Sequence, residues 1–468
     1  MVYYTLRQLA RQLQVYRQQE APAPALPLGE AWEHLNVEQV LREEGLRWRE
    51  RLFTPQVTLW TFLWQVLSPD GSCREAVSRL RAYLVMQGQQ AVSPRTGSYC
   101  KARQRLPERV LARLTRESGH QLSAQAAPAW HWKGHRVKVV DGSTVSMPDT
   151  PANQQVYPQQ ARQQPGLGFP LARIVSVFCL ACGSVVEFAV GPYHGKETGE
   201  LALFRQLWAK LGRGDVVLAD RFYSSYFMLA SLQARGVAYV GRQHHARKTH
   251  FRWGQRLGRE DHLVPWAKPQ RPAWLDVATY QQLPDLLTVR ELRVPVAQKG
   301  FRSRQLVVVT TLVDAHEISA ADLATLYRHR WQAELDLRAL KSTLGMDVLR
   351  GKTPEMVRKE LWMHLLAYNL VRRVMAVAAT QAALLPHAMS FQGARQAVNA
   401  FRGPLLSGGR RAVAALLVAL RETVRAHQVG HRPDRVEPRA VKRLSLIHIS
   451  EPTRRTPISD GVFCLKKK

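Results

Sequence analysis

Residues 136–149 (RVKVVDGSTVSMPD) and residues 215–225 (DVVLADRFYSS) are the two stretches of sequence from which the fold can be predicted. In each, a short run rich in β-branched residues ends at an aspartate, Asp141 in the first and Asp220 in the second. Such runs are typical of buried strands, because branched apolar side chains pack well on a pleated surface. We therefore predict two core strands, each of which ends at a carboxylate.

The segments around these strands predict an α/β domain. Gly183 separates two strand candidates in the pattern of a β-hairpin, and helical and strand patterns then alternate. After Asp141 the predicted elements are strands at 171–182 and 184–190, a helix at 199–211, the strand that ends at Asp220, a helix at 223–235 and a strand at 237–240. This order predicts a mixed sheet with helical crossovers, whereas the Pro, Gln and Gly residues of 150–170 predict a loop.

The remaining regions are also separated by their patterns. Residues 244–318 are rich in Arg, His, Pro and Trp, and strand-like runs at 286–296 and 305–313 predict a β-rich insertion. After an N-cap predicted at Ser319, one long helix is expected to reach about Leu344, and another to span Met356–Ala379. We place a helical N-terminal region at 1–129, the two parts of the core at 130–243 and 319–385, and the insertion at 244–318. A helical C-terminal region is placed at 386–444. Residues 445–468 resemble translated sequencing-adapter sequence and are interpreted as a non-native tail.

The charge balance points to an acidic polymer as the partner. The chain of 468 residues has 67 Lys and Arg against 36 Asp and Glu, a formal net charge of +31. Only 15 of the basic residues are lysines, and the planar fork of arginine suits bidentate contacts to phosphate and guanine. We therefore expect double-stranded DNA as the partner. A structured RNA is an alternative that explains the charge but not the placement of the acids.

Several classes of protein are excluded by composition. Five scattered cysteines are too few for a disulfide framework, and the C-x-x-C of Cys179 and Cys182 lies in an apolar run that is better explained as a buried strand. The N-terminal MVYYTLRQLARQLQ carries arginines where a signal peptide needs an apolar core, and no run of 18 apolar residues is present. The expectation is a cytoplasmic protein without membrane spans.

Two basic segments are candidates for contact with DNA. Ser93-Pro94 predicts the start of a helix that carries Lys101, Arg103 and Arg105, the second helix of a possible helix-turn-helix. In residues 244–259, HHARKTHFRWGQRLGR, basic and aromatic residues are interspersed. This composition is typical of surfaces that follow the phosphates of a nucleic acid and stack on its bases. The alternative for both segments is an ordinary solvated basic surface.

The two strand-end aspartates form a candidate metal site. Neighbouring strand ends hold carboxylates rigidly and close together, and such pairs repel unless a cation lies between them. Carboxylate oxygens suit Mg²⁺ or Mn²⁺. The alternative for Asp141 is a turn-forming residue, since DGST after a strand is also a turn pattern.

The helix predicted after Ser319 carries a stripe of polar side chains. At about 100° per residue, four of them fall within an arc of about 60° beside an apolar face: Tyr327, Arg330, Glu334 and Lys341. An i, i+4 surface ion pair would explain Arg330 and Glu334 but not the other two. Asp336 falls about 180° away from the stripe.

The pattern Tyr327-x₂-Arg330-x₃-Glu334-x₆-Lys341 resembles the helix motif of DDE-type transposases of the insertion-sequence-four branch. The other matching segments are VVDGST at Asp141, LADRFYSS at Asp220 and AYNLVRR around Asn369, so that the resemblance covers residues 50–380 approximately. The spacings also fit, with 220 − 141 = 79 residues between the aspartates and 334 − 220 = 114 residues to Glu334. The second gap is long enough to contain the β-rich insertion.

The resemblance implies a ribonuclease-H-like mixed-sheet catalytic core, interrupted by the insertion, in which Asp141, Asp220 and Glu334 are the catalytic residues and bind two Mg²⁺ (or Mn²⁺) ions. It implies phosphate contacts by Tyr327 and Arg330 and a backbone contact by Lys341. In relatives that cut through a hairpin, an aromatic residue of the insertion stacks a flipped base. Trp253 is the candidate here, with Trp266 and Trp274 as alternatives, and core packing is the competing role for each.

The function implied by the resemblance is transposition of DNA. Such an enzyme binds the terminal inverted repeats of its own element, as a homodimer in the synaptic complex, then cuts them and joins them to a target. The alternative is a catalytically inactive or domesticated relative that only binds DNA, although all three acids are present.

Overall fold

The computed structural model describes residues 28–429 apart from 30–31, 33, 50, 165, 296–304 and 408–409. Among these residues, those at 28–294 and 306–429 belong to one compact unit. Pro295 and Gln305 belong to a second unit. The tail predicted at 445–468 lies outside the described residues. No helix in the described part of the chain is long and apolar enough to cross a membrane.

A nine-stranded mixed sheet forms the centre of the fold. In chain order its strands are β1 (Arg136–Ser146), β2 (Leu171–Cys179), β3 (Val185–Pro192), β4 (Asp215–Ala219), β5 (Ala238–Arg242), β6 (Gln255–Gly258), β7 (Asp261–Ala267), β8 (Leu286–Pro295) and β9 (Gln305–Thr310). Their order across the sheet is β3-β2-β1-β4-β5-β9-β8-β7-β6. Strands β1, β2 and β3 are antiparallel, whereas β1, β4 and β5 are parallel. The first five strands have the ribonuclease-H-like arrangement, which confirms the predicted fold class.

The strands of the predicted insertion continue this sheet. Strand β9 pairs with β5, and β8, β7 and β6 follow outward. A buried ion pair fixes this part: Arg290 of β8 donates to both carboxylate oxygens of Asp261, at 2.8 and 2.5 Å, and to the Ile318 carbonyl at 2.6 Å. Ile318 lies just before the next helix of the core, Ala320–Arg328, so the insertion is tied to the helix that precedes the one carrying Glu334.

Helices cover both faces of the sheet. They are α1 (Val37–Glu43), α2 (Pro55–Leu67), α3 (Cys73–Met86), α4 (Gly97–Arg105), α5 (Glu108–Ala124), α6 (Pro151–Val156), α7 (Glu200–Arg205), α8 (Tyr226–Ala234), α9 (Val277–Gln282), α10 (Ala320–Arg328), α11 (Trp331–Arg338), α12 (Pro354–Gln381), α13 (Phe391–Ser407) and α14 (Arg410–Ala426). The longest, α12, begins with Thr353 as N-cap and Pro354 in its first turn, and most of its residues are buried. It packs on α5 and α2, which joins the helical N-terminal region to the core.

Two local predictions away from the carboxylates were wrong. The helix expected to begin at Ser93-Pro94 begins at Gly97, because the Ser93 hydroxyl accepts from the Arg95 N–H and forms a local turn instead. The loop predicted at 150–170 contains α6, in which Thr150 caps the helix and Pro151 occupies its first turn. The proline that suggested a loop is compatible with a helix start, since its missing N–H has no partner there in any case.

Candidate active site

Strand β1 does not end at Asp141, as the sequence predicted, but continues to Ser146. The antiparallel neighbour β2 pairs with it along this whole length, including Asp141 with Ser176. The parallel pairing of β1 with β4, by contrast, stops at Val139 and Leu218. Two residues further along each strand this register places Asp141 beside Asp220. The two residues therefore lie at the same edge of the sheet, at the point where β4 leaves it and β1 continues.

The turn after β4 holds Asp220 firmly. Its carboxylate accepts from the Phe222 N–H at 2.6 Å and caps a short 3₁₀ turn, Arg221–Tyr223. The hydroxyl of buried Tyr239 lies 3.4 Å from the Asp220 carbonyl and 2.8 Å from the Ser224 hydroxyl. Hydrogen bonds from two elements thus fix both ends of this residue.

Asp141 lies in a crowded electrostatic environment. The pKa of Asp141 is raised to about 6: burial is the largest cause and Glu334 and Glu200 add to it, whereas the Gly142 N–H at 2.9 Å and the Arg330 guanidinium oppose the shift. Three carboxylates and one arginine therefore influence one another here, which is a pattern that marks functional sites.

The long helix predicted from Ser319 to Leu344 is divided into α10 and α11 at His329 and Arg330, followed by a π-helical turn, Ala339–Thr343. Ser319 is the N-cap as predicted, in a capping box with Asp322. At the break, the Arg330 N–H bonds to the Tyr327 carbonyl and the Ala333 N–H to the Arg330 carbonyl, both at 3.1 Å. These i→i+3 bonds tighten the turn without reversing the chain, so the polar stripe is preserved.

The stripe faces the two aspartates. Arg330 forms an ion pair of 2.6 Å with Glu334, and Lys341 donates to the Ser143 hydroxyl of β1 at 3.0 Å. Burial raises the pKa of Tyr327, while Arg330 opposes this shift and Asp220 adds to it. Beyond the π-helical turn, the chain pairs with the end of β1 through Ser146, whose N–H bonds to the Asp347 carbonyl at 2.9 Å. The structure thus brings together six residues predicted from the sequence: Asp141, Asp220, Tyr327, Arg330, Glu334 and Lys341.

The predicted DNA-contacting residues of α4 are not equivalent. Lys101 and Arg105 are exposed, but Arg103 turns inward. Its guanidinium donates to Gln65 at 2.8 Å and lies over the Phe62 ring at 4.6 Å. The structure therefore gives Arg103 a packing role within the helical region, unlike its two neighbours.

The three candidate tryptophans differ in the same way. Trp253 is 66% exposed and stacks on His250, with ring centroids 4.6 Å apart. Trp266 is buried and donates to the Glu291 carboxylate at 2.9 Å. Trp274 packs edge-on against Trp208 and carries the Arg205 guanidinium 4.2 Å above its ring. Only Trp253 among the three is open to stack another ring.

Sequence reasoning missed Glu200, at the start of α7. Its half-buried carboxylate lies 3.4 Å from Arg173. Burial raises the pKa of Glu200, Arg173 lowers it, and Asp220 raises it further. Nothing in the local sequence indicated that Glu200 would lie near the aspartates, because an acidic residue in the first turn of a helix is common.

Asp336 points away from the stripe, as predicted, and anchors α11 in the core. It pairs with Arg372 of α12, and both side chains are less than 5% exposed. Arg372 also donates to the Tyr368 hydroxyl at 2.8 Å, and that hydroxyl donates to the Gly183 carbonyl at 2.9 Å. Asn369 adds bonds to both the N–H and the carbonyl of Val185. The AYNLVRR segment thus connects the acid-bearing helix to the β2–β3 hairpin.

No group of three or more His, Cys, Asp or Glu residues in the described ranges is spaced to hold a metal ion. The Glu334 carboxylate is paired with Arg330. The donor chemistry is nevertheless that of a hard cation, with carboxylate oxygens from three separate elements.

Comparison with known proteins identifies similar chains. Residues 132–370 match the family model described as transposase DDE domain. The transposase InsG of insertion sequence element IS4 from Escherichia coli K12 is 27% identical over 434 residues, 90% of this chain and 92% of that protein. The transposase of insertion sequence element IS421 from Escherichia coli is 42% identical over 65 residues, 14% of this chain and 18% of that protein. Among solved structures, the piggyBac transposase synaptic complex with hairpin DNA aligns with 89% of this chain and 81% of its own, at 10% identity and a TM-score of 0.42.

Proposed function

Because the chain belongs to the transposase DDE domain family, it is a DNA transposase, and we propose that Asp141, Asp220 and Glu334 are its catalytic carboxylates. The observation that carries the proposal is the register of β1 and β4, which sets the two aspartates side by side, with the stripe of α11 facing them. Polynucleotidyl transfer of this type needs no protein nucleophile, so carboxylates on rigid strand ends are sufficient.

The family uses divalent metal, and the residues present fit two Mg²⁺ or Mn²⁺ ions. Glu334 and Glu200 add to the effect of burial in raising the pKa of Asp141, so a bound cation would relieve repulsion among these carboxylates. Asp141, Asp220 and Glu334 would hold the ions, and Glu334 would exchange its pairing with Arg330 for this role. When bound, the ions activate water or a DNA 3′-hydroxyl as the nucleophile and stabilise the departing oxygen.

The stripe would bind the DNA backbone. Arg330, once released from Glu334, offers its planar fork to phosphate oxygens, and Tyr327 beside it offers a hydroxyl donor. Lys341 is held near β1 by Ser143, and we propose that it contacts a phosphate on the same strand. These groups orient the scissile phosphate against the carboxylates.

Other surfaces would bind the element ends. Lys101 and Arg105 on α4 are exposed donors for phosphates, and the basic segment 244–259 presents Trp253 for stacking on a flipped base. Since both ends of an element must be cut together, we propose that the enzyme acts as a homodimer, on the DNA of a bacterial cytoplasm.

The test is cleavage of a supercoiled plasmid that carries the inverted repeats of the element. Glu334→Gln keeps the shape of the side chain but removes its charge, so we expect Mg²⁺-dependent cleavage to be abolished and DNA binding to be retained. Glu317→Gln, at an exposed glutamate just before α10, is the matched control and should cleave normally. Equal loss of binding and cleavage in E334Q contradicts the assigned role. Binding without any cleavage by the unaltered chain favours an inactive DNA-binding relative.

A further inference from the structure

The turn that carries Trp253 is held against β7 by a buried imidazole. His262 of β7 is 1% exposed, and its Nδ1 lies 2.6 Å from the carbonyl oxygen of Trp253. Because a carbonyl oxygen can only accept, Nδ1 carries a proton and donates it to Trp253. The backbone is therefore fixed at the residue whose side chain is open to solvent.

Glu291 of β8 holds the same imidazole from its other side. The register of β7 and β8 pairs His262 with Glu291, and the Glu291 Oε2 lies 3.3 Å from the His262 Nε2. The Glu291 Oε1 accepts from the Trp266 indole N–H at 2.9 Å and from the Gln243 amide at 3.0 Å. All four side chains are buried. These contacts fix the ring of His262 in the orientation that aims Nδ1 at Trp253.

Gln243 connects this cluster to the catalytic strands. It immediately follows β5, and its N–H bonds to the Val307 carbonyl of β9 at 2.9 Å. Strand β5 in turn pairs with β4, the strand that precedes Asp220. The Thr249 hydroxyl also donates to the Gln243 side chain, which ties the basic segment to the same residue. A continuous series of hydrogen bonds thus sets the position of Trp253 relative to β4.

The Trp253 ring is also restrained by its neighbours. The His250 ring lies 4.6 Å from it, centroid to centroid, with the two planes inclined by 34°. The next residue, Gly254, has a φ of +78°, and a Cβ atom there would collide with the Leu263 carbonyl of β7. An exposed ring on a turn that is already ordered loses less conformational entropy when it binds another ring.

The competing role for this cluster is stabilisation of the outer strands alone. Leu287 and Val289 lie on the same face of β8 as Glu291 and are buried apolar side chains. An apolar pair in place of His262 and Glu291 would pack there without the cost of burying an imidazole and a carboxylate. Packing of the strands also needs no hydrogen bond to the turn that presents Trp253.

We infer that His262 is a positioning residue, which holds the Trp253 ring ready to stack on a base of the element end. The inference rests on the proposed function, in which Trp253 makes that contact. Stacking of a base on an aromatic side chain depends on alignment of the two rings, and a turn that had to become ordered on binding would lose part of the free energy gained.

The experiment uses two substitutions that separate the bonds of the imidazole. The amide nitrogen of His262→Asn lies where Nδ1 was and keeps the donor to Trp253, whereas that of His262→Gln lies where Nε2 was and faces Glu291. With element-end DNA at saturation, H262Q should cleave about 10-fold more slowly, as should Trp253→Ala. H262N should stay within about twofold of the unaltered chain. The double variant W253A/H262Q should be no slower than W253A, because the effect passes through Trp253.

His364→Gln is the matched control. His364 is also buried, and its Nδ1 lies 2.8 Å from the Glu360 carbonyl of α12, outside the insertion. H364Q should cleave as the unaltered chain does, even if its melting temperature falls. Equal loss of cleavage in H262N and H262Q, or a double variant slower than both single variants, overturns the inference alone. Unchanged cleavage by W253A overturns the proposed stacking role itself.

A second variant keeps the inference testable if H262Q does not fold. Glu291→Gln retains one oxygen to accept from Trp266 and Gln243, and its amide N–H donates to the His262 Nε2, so Nδ1 keeps its proton for Trp253. We expect E291Q to have a lower melting temperature but to cleave within about twofold of the unaltered chain. Cleavage as slow as that of W253A would show that the cluster acts through the general stability of the insertion, and would overturn the inference.

Discussion

Helix α11 carries two arginine–carboxylate pairs that have the same chemistry and opposite surroundings. The Arg330–Glu334 pair lies on the stripe, where the Arg330 side chain is 18% exposed and the Glu334 side chain 36%. The Asp336–Arg372 pair lies on the other face, where both side chains are less than 5% exposed. A pair that solvent reaches contributes less and exchanges partners more easily, whereas a fully buried pair is expensive to break. One face of the helix is thus suited to chemistry and the other to attachment.

The largest effect is expected from breaking the buried pair. Asp336→Ala leaves Arg372 charged in the core without its acid, and the free energy of unfolding should fall by about 3–5 kcal/mol. Urea denaturation followed by circular dichroism measures this. The double variant D336L/R372M removes both charges and should recover most of the loss. An effect of D336A below about 1 kcal/mol would remove the distinction between the two faces.

A smaller loss is expected at the turn that packs on the same arginine. Gly183 has a φ of +75°, and a Cβ atom there would lie 2.9 Å from the Arg372 guanidinium carbon. Gly183→Ala should therefore lower the free energy of unfolding by about 1–3 kcal/mol. Gly88→Ala, at a φ of +71° with open space around it, is the control for backbone strain alone. A similar loss in both variants would show that the contact with Arg372 adds nothing.

The half-buried pair of Arg330 and Glu334 should behave in the opposite way. Arg330→Gln should change the free energy of unfolding by only about 0.3–0.5 kcal/mol, as for other i, i+4 pairs. Cleavage of the element ends should nevertheless fall by about 100-fold or more, since a charged donor at the scissile phosphate is lost. Denaturation and cleavage assays on the same preparation separate the two effects. A large loss of stability with normal cleavage would reverse the assignment of the faces.

The last prediction concerns the pH dependence of stability. Burial, together with Arg372 and His329, lowers the pKa of His387 to about 3, and burial also lowers the pKa of His364. Below the ordinary histidine pKa of about 6.5 the unfolded chain takes up protons that the folded chain does not. Stability should therefore be fully present at pH 7 and decrease as the pH falls toward 4. His387→Gln should flatten this decrease in melting temperature, and an unchanged slope would contradict the buried neutral form.

The sequence predicted those parts of the structure that depend on local pattern. The strand before Asp220, the hairpin at Gly183 and the N-cap at Ser319 all lie where propensity and capping residues place them. The stripe was also predictable, because helical geometry alone sets which residues share a face.

The remaining features depend on partners that are distant in sequence. Strand β1 continues past Asp141 because β2 pairs with it, and Arg103 turns inward because Gln65 accepts its hydrogen bond. The break at His329 has no proline or glycine to indicate it. Glu200 comes near Asp141 through the packing of α7 on β2 and β3, so only the folded chain shows their proximity.

The continuous sheet also limits how the enzyme can move. Ladder hydrogen bonds join β4 to β5, β5 to β9, and β9 onward to the strands beside Trp253. A hinge between the catalytic strands and this outer edge would have to break several of these bonds at once. The edge therefore cannot swing over the substrate as a separate lid.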